Sequence, residues 1–267
     1  MSENDLGKLI YQHNDALGAI TVYENQHLRY LTFGNKVEQS CVNLAQPYRL
    51  EHSYTQTMLL SLLLKTDFRN VVILGLGAGS LLRALHYARP KLAIQAVELR
   101  SSVIDIAREY FSIPDSNKIV LHCNEAELFL NDSEQYFDII FSDLYLADSV
   151  HESQKNFSFY QNCYERLSEN GLLTVNQWSG EFKSVQHCQK LLSDVFQGQV
   201  FNLHVQGGNH ISFAFKGTLP DIDRKPFFAA AQQLGNKLDI PLQKLSRNFW
   251  QQNAEAIKIK RFSGSLR

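Results

Sequence analysis

Glu98, Glu125 and Asp143 each stand at or just beyond the end of a short apolar run, and Gly75, Gly77 and Gly79 alternate directly after a fourth, Val71-Val72-Ile73-Leu74. Open parallel sheets bind ligands at the C-terminal ends of their strands, so these carboxylates are expected to share one crevice. Glu98 is placed there to accept hydrogen bonds from a ribose diol. Glycines at a strand-to-helix turn allow positive φ and let a ligand lie against the backbone. A GxGxxG dinucleotide fingerprint would need Gly or Ala where the chain has Ser80. The spacing is closer to the GxGxG of nucleoside-binding transferases, which disfavours an NAD-dependent oxidoreductase.

The elements that position these residues follow from periodicity. Val71–Glu98 spells strand, glycine turn, amphipathic helix, strand: a βαβ unit. A helix from Ser101 to Phe111, a strand 119–122, a helix 126–130 and a strand 137–143 continue the alternation. Residues 8–50 read as a β-meander with strands at 19–24, 28–33 and 36–40, and Glu51–Leu64 reads as one helix. Leu144–Asn156 lacks periodicity and is expected to be a loop over the crevice. Beyond it come a helix 157–167, a turn at 169–171, a strand 172–176, a helix 185–196 and a glycine-turned hairpin, 200–205 with 210–215. Two helices, 226–238 and 249–259, are expected in the tail. The fold class is therefore α/β, a Rossmann-like sheet ending in an antiparallel hairpin and preceded by a small β-meander. Its regions are 1–50, 51–219 (the nucleoside-binding transferase domain) and 220–267 (a helical extension).

Composition narrows the function. The chain has 267 residues, 44% of them hydrophobic, and a formal net charge of -1, which gives no support for nucleic-acid or anionic-membrane binding. Four scattered cysteines form no CxxC pair, and the nine histidines show no ligand spacing, so no metal is expected. The polar, acidic start and the short apolar run 58–64 point to a cytoplasmic protein without a membrane span.

The order of motifs resembles the spermidine synthases, within the S-adenosylmethionine-dependent transferase folds, over roughly residues 8–215. Tyr54-Thr55-Gln56-Thr57-Met58 falls at the family's Tyr-x-Glu-Met helix. Val97-Glu98 with Val103-Ile104 is similar to its Val-Glu-Ile-Asp…Val-Ile segment, and Phe159-Tyr160, Leu167 and Gly171 match its Phe-Tyr…Leu…Gly pattern. The resemblance implies that Gly75, Gly77 and Gly79 run beside the nucleoside, that Glu98 holds the ribose, and that Asn124 and Glu125 meet the adenine amine. It further implies that Asp143 positions and deprotonates an amine nucleophile. Tyr54, Gln56, Tyr145, Gln177 and Trp178 are expected in the acceptor pocket, and a homodimer is expected through the β-region. The co-substrate is S-adenosylmethionine or its decarboxylated form, and the partner is a small amine.

Departures from the pattern tilt the reading. The acid that faces the donor's aminopropyl amine stands as Ala78, the Glu of Tyr-x-Glu-Met as Gln56, the Gln before the second strand as Gly18, and Asp-x-x-Asp-Pro as Asp143-Leu144-Tyr145-Leu146-Ala147-Asp148. An unpaired buried ammonium is costly, and an acid at 78 would repel the carboxylate of intact S-adenosylmethionine. Methyl transfer is thus slightly favoured, with polyamine aminopropyl transfer as the alternative and a non-catalytic nucleotide-binding scaffold behind it.

Overall fold

The computed structural model describes residues 6–34, 38–146, 149–150, 152–178 and 182–257. The meander is an antiparallel sheet in the order β1 (Lys8–Asp15), β2 (Gly18–Glu24), β3 (Leu28–Thr32), β4 (Glu38–Asn43), its first strand an addition to those legible in the pattern. Positions 36 and 37 of the expected third strand lie outside the described residues. Ile20, Val22, Leu31 and Val42 bury one face of this sheet against Ala78, Val103, Ile106 and Phe111.

The helix expected over 51–64 is broken into α1 (Ser53–Met58) and α2 (Ser61–Leu64). Thr57 Oγ1 donates to the Ser53 carbonyl at 2.7 Å and Ser61 Oγ to that of Met58 at 2.6 Å. Hydroxyls that bond back to the preceding turn compete with the helical ladder, which is where a periodicity argument misleads.

The alternating segment runs β5 (Asn70–Leu74), α3 (Ser80–Ala88), β6 (Ala93–Glu98), α4 (Ser101–Tyr110), β7 (Ile119–Cys123), α5 (Ala126–Asp132), β8 (Phe137–Ser142). The expected loop after it is not featureless: β9 (Tyr145–Leu146) pairs with β10 (Ser149–Val150), and a 3₁₀ turn spans Glu152–Lys155. Then come α6 (Phe157–Arg166), β11 (Leu167–Trp178), α7 (Phe182–Val195), β12 (Val200–His204) and β13 (Asn209–Phe215). The turn expected at 169–171 lies inside β11 as an irregularity, with a register shift between Leu167 and Leu172 and Asn170 at φ 57°. The 7-stranded sheet has the order β12-β13-β11-β8-β5-β6-β7, in which the β11–β8–β5–β6–β7 pairs are parallel and β13 runs antiparallel to β11 and β12.

The tail folds as α8 (Arg224–Leu238) and α9 (Leu242–Gln252), the second helix starting directly after Pro241 and not at Phe249. Pro241 is its N-cap residue, and Leu242, Ser246 and Phe249, at i, i+4 and i+7, form its buried stripe. Both helices enter the main core: Phe249 is fully buried, its ring 5.2 Å from Phe201 and 5.7 Å from Phe213 and Phe227. No helix among the described residues is long and apolar enough to cross a membrane.

Candidate active site

The glycine turn is built by close approach. Gly75, at φ 94°, brings its Cα against the Asp143 carbonyl oxygen, and a Cβ there would overlap it. Gly79, at φ 74°, is the N-cap residue of α3, and a Cβ would collide with Ile113. Gly75 and Gly77 border a cavity of about 330 Å³ at the strand ends. Gly79 is not among its lining residues and serves the packing of the turn.

Glu98, Glu125 and Asp143 all line this cavity, with Asn124 and Tyr54. Glu98 closes β6 and faces back over the turn. Its Oε2 accepts from Leu76 N at 3.2 Å and Gly77 N at 3.4 Å, and its Oε1 from Arg100 N at 3.1 Å. Burial pushes its carboxyl above the ordinary value, opposed by the N–H groups of Arg100, Leu76 and Gly77. Glu125 is the N-cap of α5 and accepts from Leu128 N at 2.8 Å, so its carboxylate also has a structural task. Asn124 Oδ1 accepts from Glu125 N at 2.8 Å.

Asp143 follows β8. Burial raises its carboxyl above the ordinary range, while the Asn176 amide, the charge of His52 and the Tyr54 hydroxyl pull it down. Asn176 Nδ2 donates to Asp143 Oδ1 at 2.8 Å, and Asn209 Nδ2 donates to Asn176 Oδ1 at 2.9 Å. A buried carboxylate with oriented donors, beside a cavity large enough for a nucleoside, can take a proton from an amine held there.

The remaining expectations for the acceptor pocket fare differently. Gln56 turns its amide to the Leu50 carbonyl at 2.7 Å and does not line the cavity. Gln177 is fully buried, its amide 3.4 Å from Tyr160 Oη, and Trp178 Nε1 donates to the Gly207 carbonyl at 3.3 Å; neither reaches the cavity. The side chain of Tyr145 and residues Ala147 and Asp148 lie outside what is described. Strand alternation explains the miss on β11: Val175 pairs with Ser142, so the residue presented beside Asp143 is Asn176, and Gln177 points to the opposite face. Ala78, whose loss of charge tilted the reading toward methyl transfer, is fully buried beneath the β-meander and is not a wall of the cavity.

Sequence reasoning also missed Leu17, Phe33, Ser40 and Arg100, which line the cavity too. Arg100 carried a signal, standing two residues beyond Glu98. Its Nε and Nη2 bind the Asp15 carboxylate at 3.0 and 2.7 Å, and Nη2 also reaches the Gly18 carbonyl at 2.7 Å. The tip of the β1–β2 hairpin is thereby tied to the end of β6.

Comparison with known proteins accords with this geometry. A polyamine aminopropyltransferase of Neisseria meningitidis is 27% identical over 231 residues, covering 85% of this chain and 87% of that protein. A probable spermidine synthase from Corynebacterium glutamicum superposes with a TM-score of 0.72 at 17% identity, covering 87% of this chain and 86% of that one. A spermidine synthase in complex with the transition-state analogue AdoDATO superposes at 0.67 with 18% identity, over 91% and 84% of the two chains. The sequence relative favours the aminopropyl alternative over the methyl-transfer reading drawn from the sequence, and the two structures show the shared fold. The spermine/spermidine synthase domain profile matches residues 51–225, which hold all seven strands of the main sheet and the carboxylates on its edge, and the chain belongs to that family of S-adenosylmethionine-type transferases.

Proposed function

We propose that the protein is a polyamine aminopropyltransferase, using decarboxylated S-adenosylmethionine as donor and an amine such as putrescine as acceptor. The observation that carries this reading is the charge of the cavity. Glu98, Glu125 and Asp143 line it, and among the described lining residues the cation, Arg100, is committed to Asp15. The amides of Leu76 and Gly77 are likewise engaged by Glu98. A donor carboxylate would enter without a free cation to receive it, whereas a sulfonium with an ammonium tail meets negative charge.

In this reading Glu98 takes the ribose hydroxyls, and Asn124 and Glu125 border the adenine. Leu17, Phe33, Leu76, Val97 and Leu144 supply the apolar walls. Asp143 removes a proton from the acceptor ammonium. The freed nitrogen attacks the aminopropyl carbon next to sulfur, the C–N bond forms, the C–S bond breaks, and sulfur keeps the electron pair as a neutral thioether. Holding both reactants in line supplies much of the acceleration.

Calorimetric titration with decarboxylated and with intact S-adenosylmethionine tests the donor: tighter binding of the decarboxylated form is expected, and preference for the intact one would return the case to methyl transfer. Self-association through the four-stranded sheet belongs to the same family reading. Light scattering should give the mass of a dimer, and the mass of one chain would refute it.

A further inference from the structure

Asp143 is held by a chain of two amides that reaches a different part of the fold. Asn176 stands on β11 and Asn209 opens β13 after the hairpin turn; they are 1% and 8% exposed. The order of donors fixes the chain's polarity. Asn209 Nδ2 gives its hydrogen to Asn176 Oδ1 at 2.9 Å, so the other end of the Asn176 amide, Nδ2, is the end that meets Asp143 Oδ1 at 2.8 Å. The ionised Asp143 carboxylate already favours this orientation, and Asn209 reinforces it by donating to the Asn176 oxygen; without Asn209 the reversed amide costs less. Turned over, it would present an oxygen to the carboxyl, which favours the protonated acid.

We propose that Asn209 is a positioning residue for the reaction: by donating to Asn176 Oδ1 it holds the Asn176 amide with an N–H aimed at Asp143 and so keeps that carboxylate available as the base. This rests on the reading of Asp143 as the group that deprotonates the acceptor. The titratable and charged groups around Asp143 are His52 and Tyr54 on the α1 side and Glu98, Glu125 and Arg100 along the cavity. The two amides add direction without adding charge, and they do so at the edge where the hairpin joins the sheet.

The test is the titration of the Asp143 carboxyl, followed by NMR of protein carrying carbon-13 aspartate and assigned by the signal missing from Asp143→Asn. In Asn209→Leu, which keeps the shape and removes the donor, the midpoint should rise by about one pH unit, the size of effect a hydrogen bond to the charged form can have. Asn209→Ala, which also removes the donor, should show the same rise and serves alone if the Leu variant does not fold. An unchanged midpoint in the folded variant overturns the proposal, because a residue that only braces the hairpin would lower the melting temperature and leave the titration where it was. Turnover of decarboxylated S-adenosylmethionine with putrescine, run in parallel, keeps the two readings apart. A shifted midpoint without turnover in the parent protein would sustain the positioning role and sink the aminopropyl assignment; turnover with its acid limb moved in step would support both.

Discussion

At the scale of single residues, the proposed reaction gives two cavity carboxylates different tasks, Asp143 the proton and Glu98 the donor. Asp143→Asn keeps the shape and the Asn176 contact but cannot take a proton, so kcat should fall roughly a hundredfold to ten-thousandfold with donor binding intact. Equal losses in both would instead assign Asp143 to binding. Glu98→Gln should weaken donor binding about tenfold to a hundredfold by calorimetry, since hydrogen bonds to a charged group are worth about 1.5–3 kcal/mol. Its effect on stability has the opposite sign. The folded carboxyl is raised by burial, so its contribution to stability is full below the unfolded value and is lost as pH rises through the folded one. At neutral pH the amide should therefore melt no lower than the parent, and a lower melting temperature would show that the carboxylate is needed for the fold. Both residues were legible in the sequence because an acid at a parallel strand's end has few structural reasons to be there. Asn176 and Arg100 were not, since an amide and an exposed-looking arginine acquire meaning only from the register of β11 and the reach of the β1–β2 hairpin.

At the scale of elements, the βαβ unit from β5 to β6 was readable because period and turn chemistry agree there. Elsewhere they conflict. Hydroxyl back-bonding splits the helix over 51–64, and a long strand absorbs the turn-like Glu169-Asn170-Gly171. Asp138 shows how such an element is anchored without showing any periodic signal. It accepts from Arg69 N at 2.7 Å, Asn70 N at 3.1 Å and Ser168 Oγ at 2.8 Å, joining the starts of β5, β8 and β11. Burial alone would raise its carboxyl, but the Arg69 N–H, the Ser168 hydroxyl, the Asn70 N–H and Lys65 hold it below the ordinary value. A depressed folded value stabilises above the unfolded carboxyl value, about 3.9, and that contribution is lost as pH falls through the folded value. Asp138→Ala should cost about 1–3 kcal/mol at pH 7 by denaturant melting, with the deficit shrinking in acid. A deficit independent of pH would mean that lost packing, not the ionised acceptor, is responsible.

At the scale of the molecule, the tail that lacked any chemical motif is part of the core. Phe249 and Leu242 are fully buried with residues of the main sheet, and Phe249→Ala should destabilise by about 3–5 kcal/mol in denaturant melting while donor affinity holds. A change below about 1 kcal/mol would mark the extension as an independent appendage. The molecule as a whole presents an acidic cavity at the C-terminal ends of the parallel strands, and the products that leave that cavity distinguish aminopropyl from methyl transfer. The most direct measurement is mass spectrometry of the products formed from decarboxylated S-adenosylmethionine and putrescine. Spermidine and methylthioadenosine in equal amounts, absent with Asp143→Asn, are the expected result; no product from this pair, with a methylated amine and S-adenosylhomocysteine from intact S-adenosylmethionine, would contradict it.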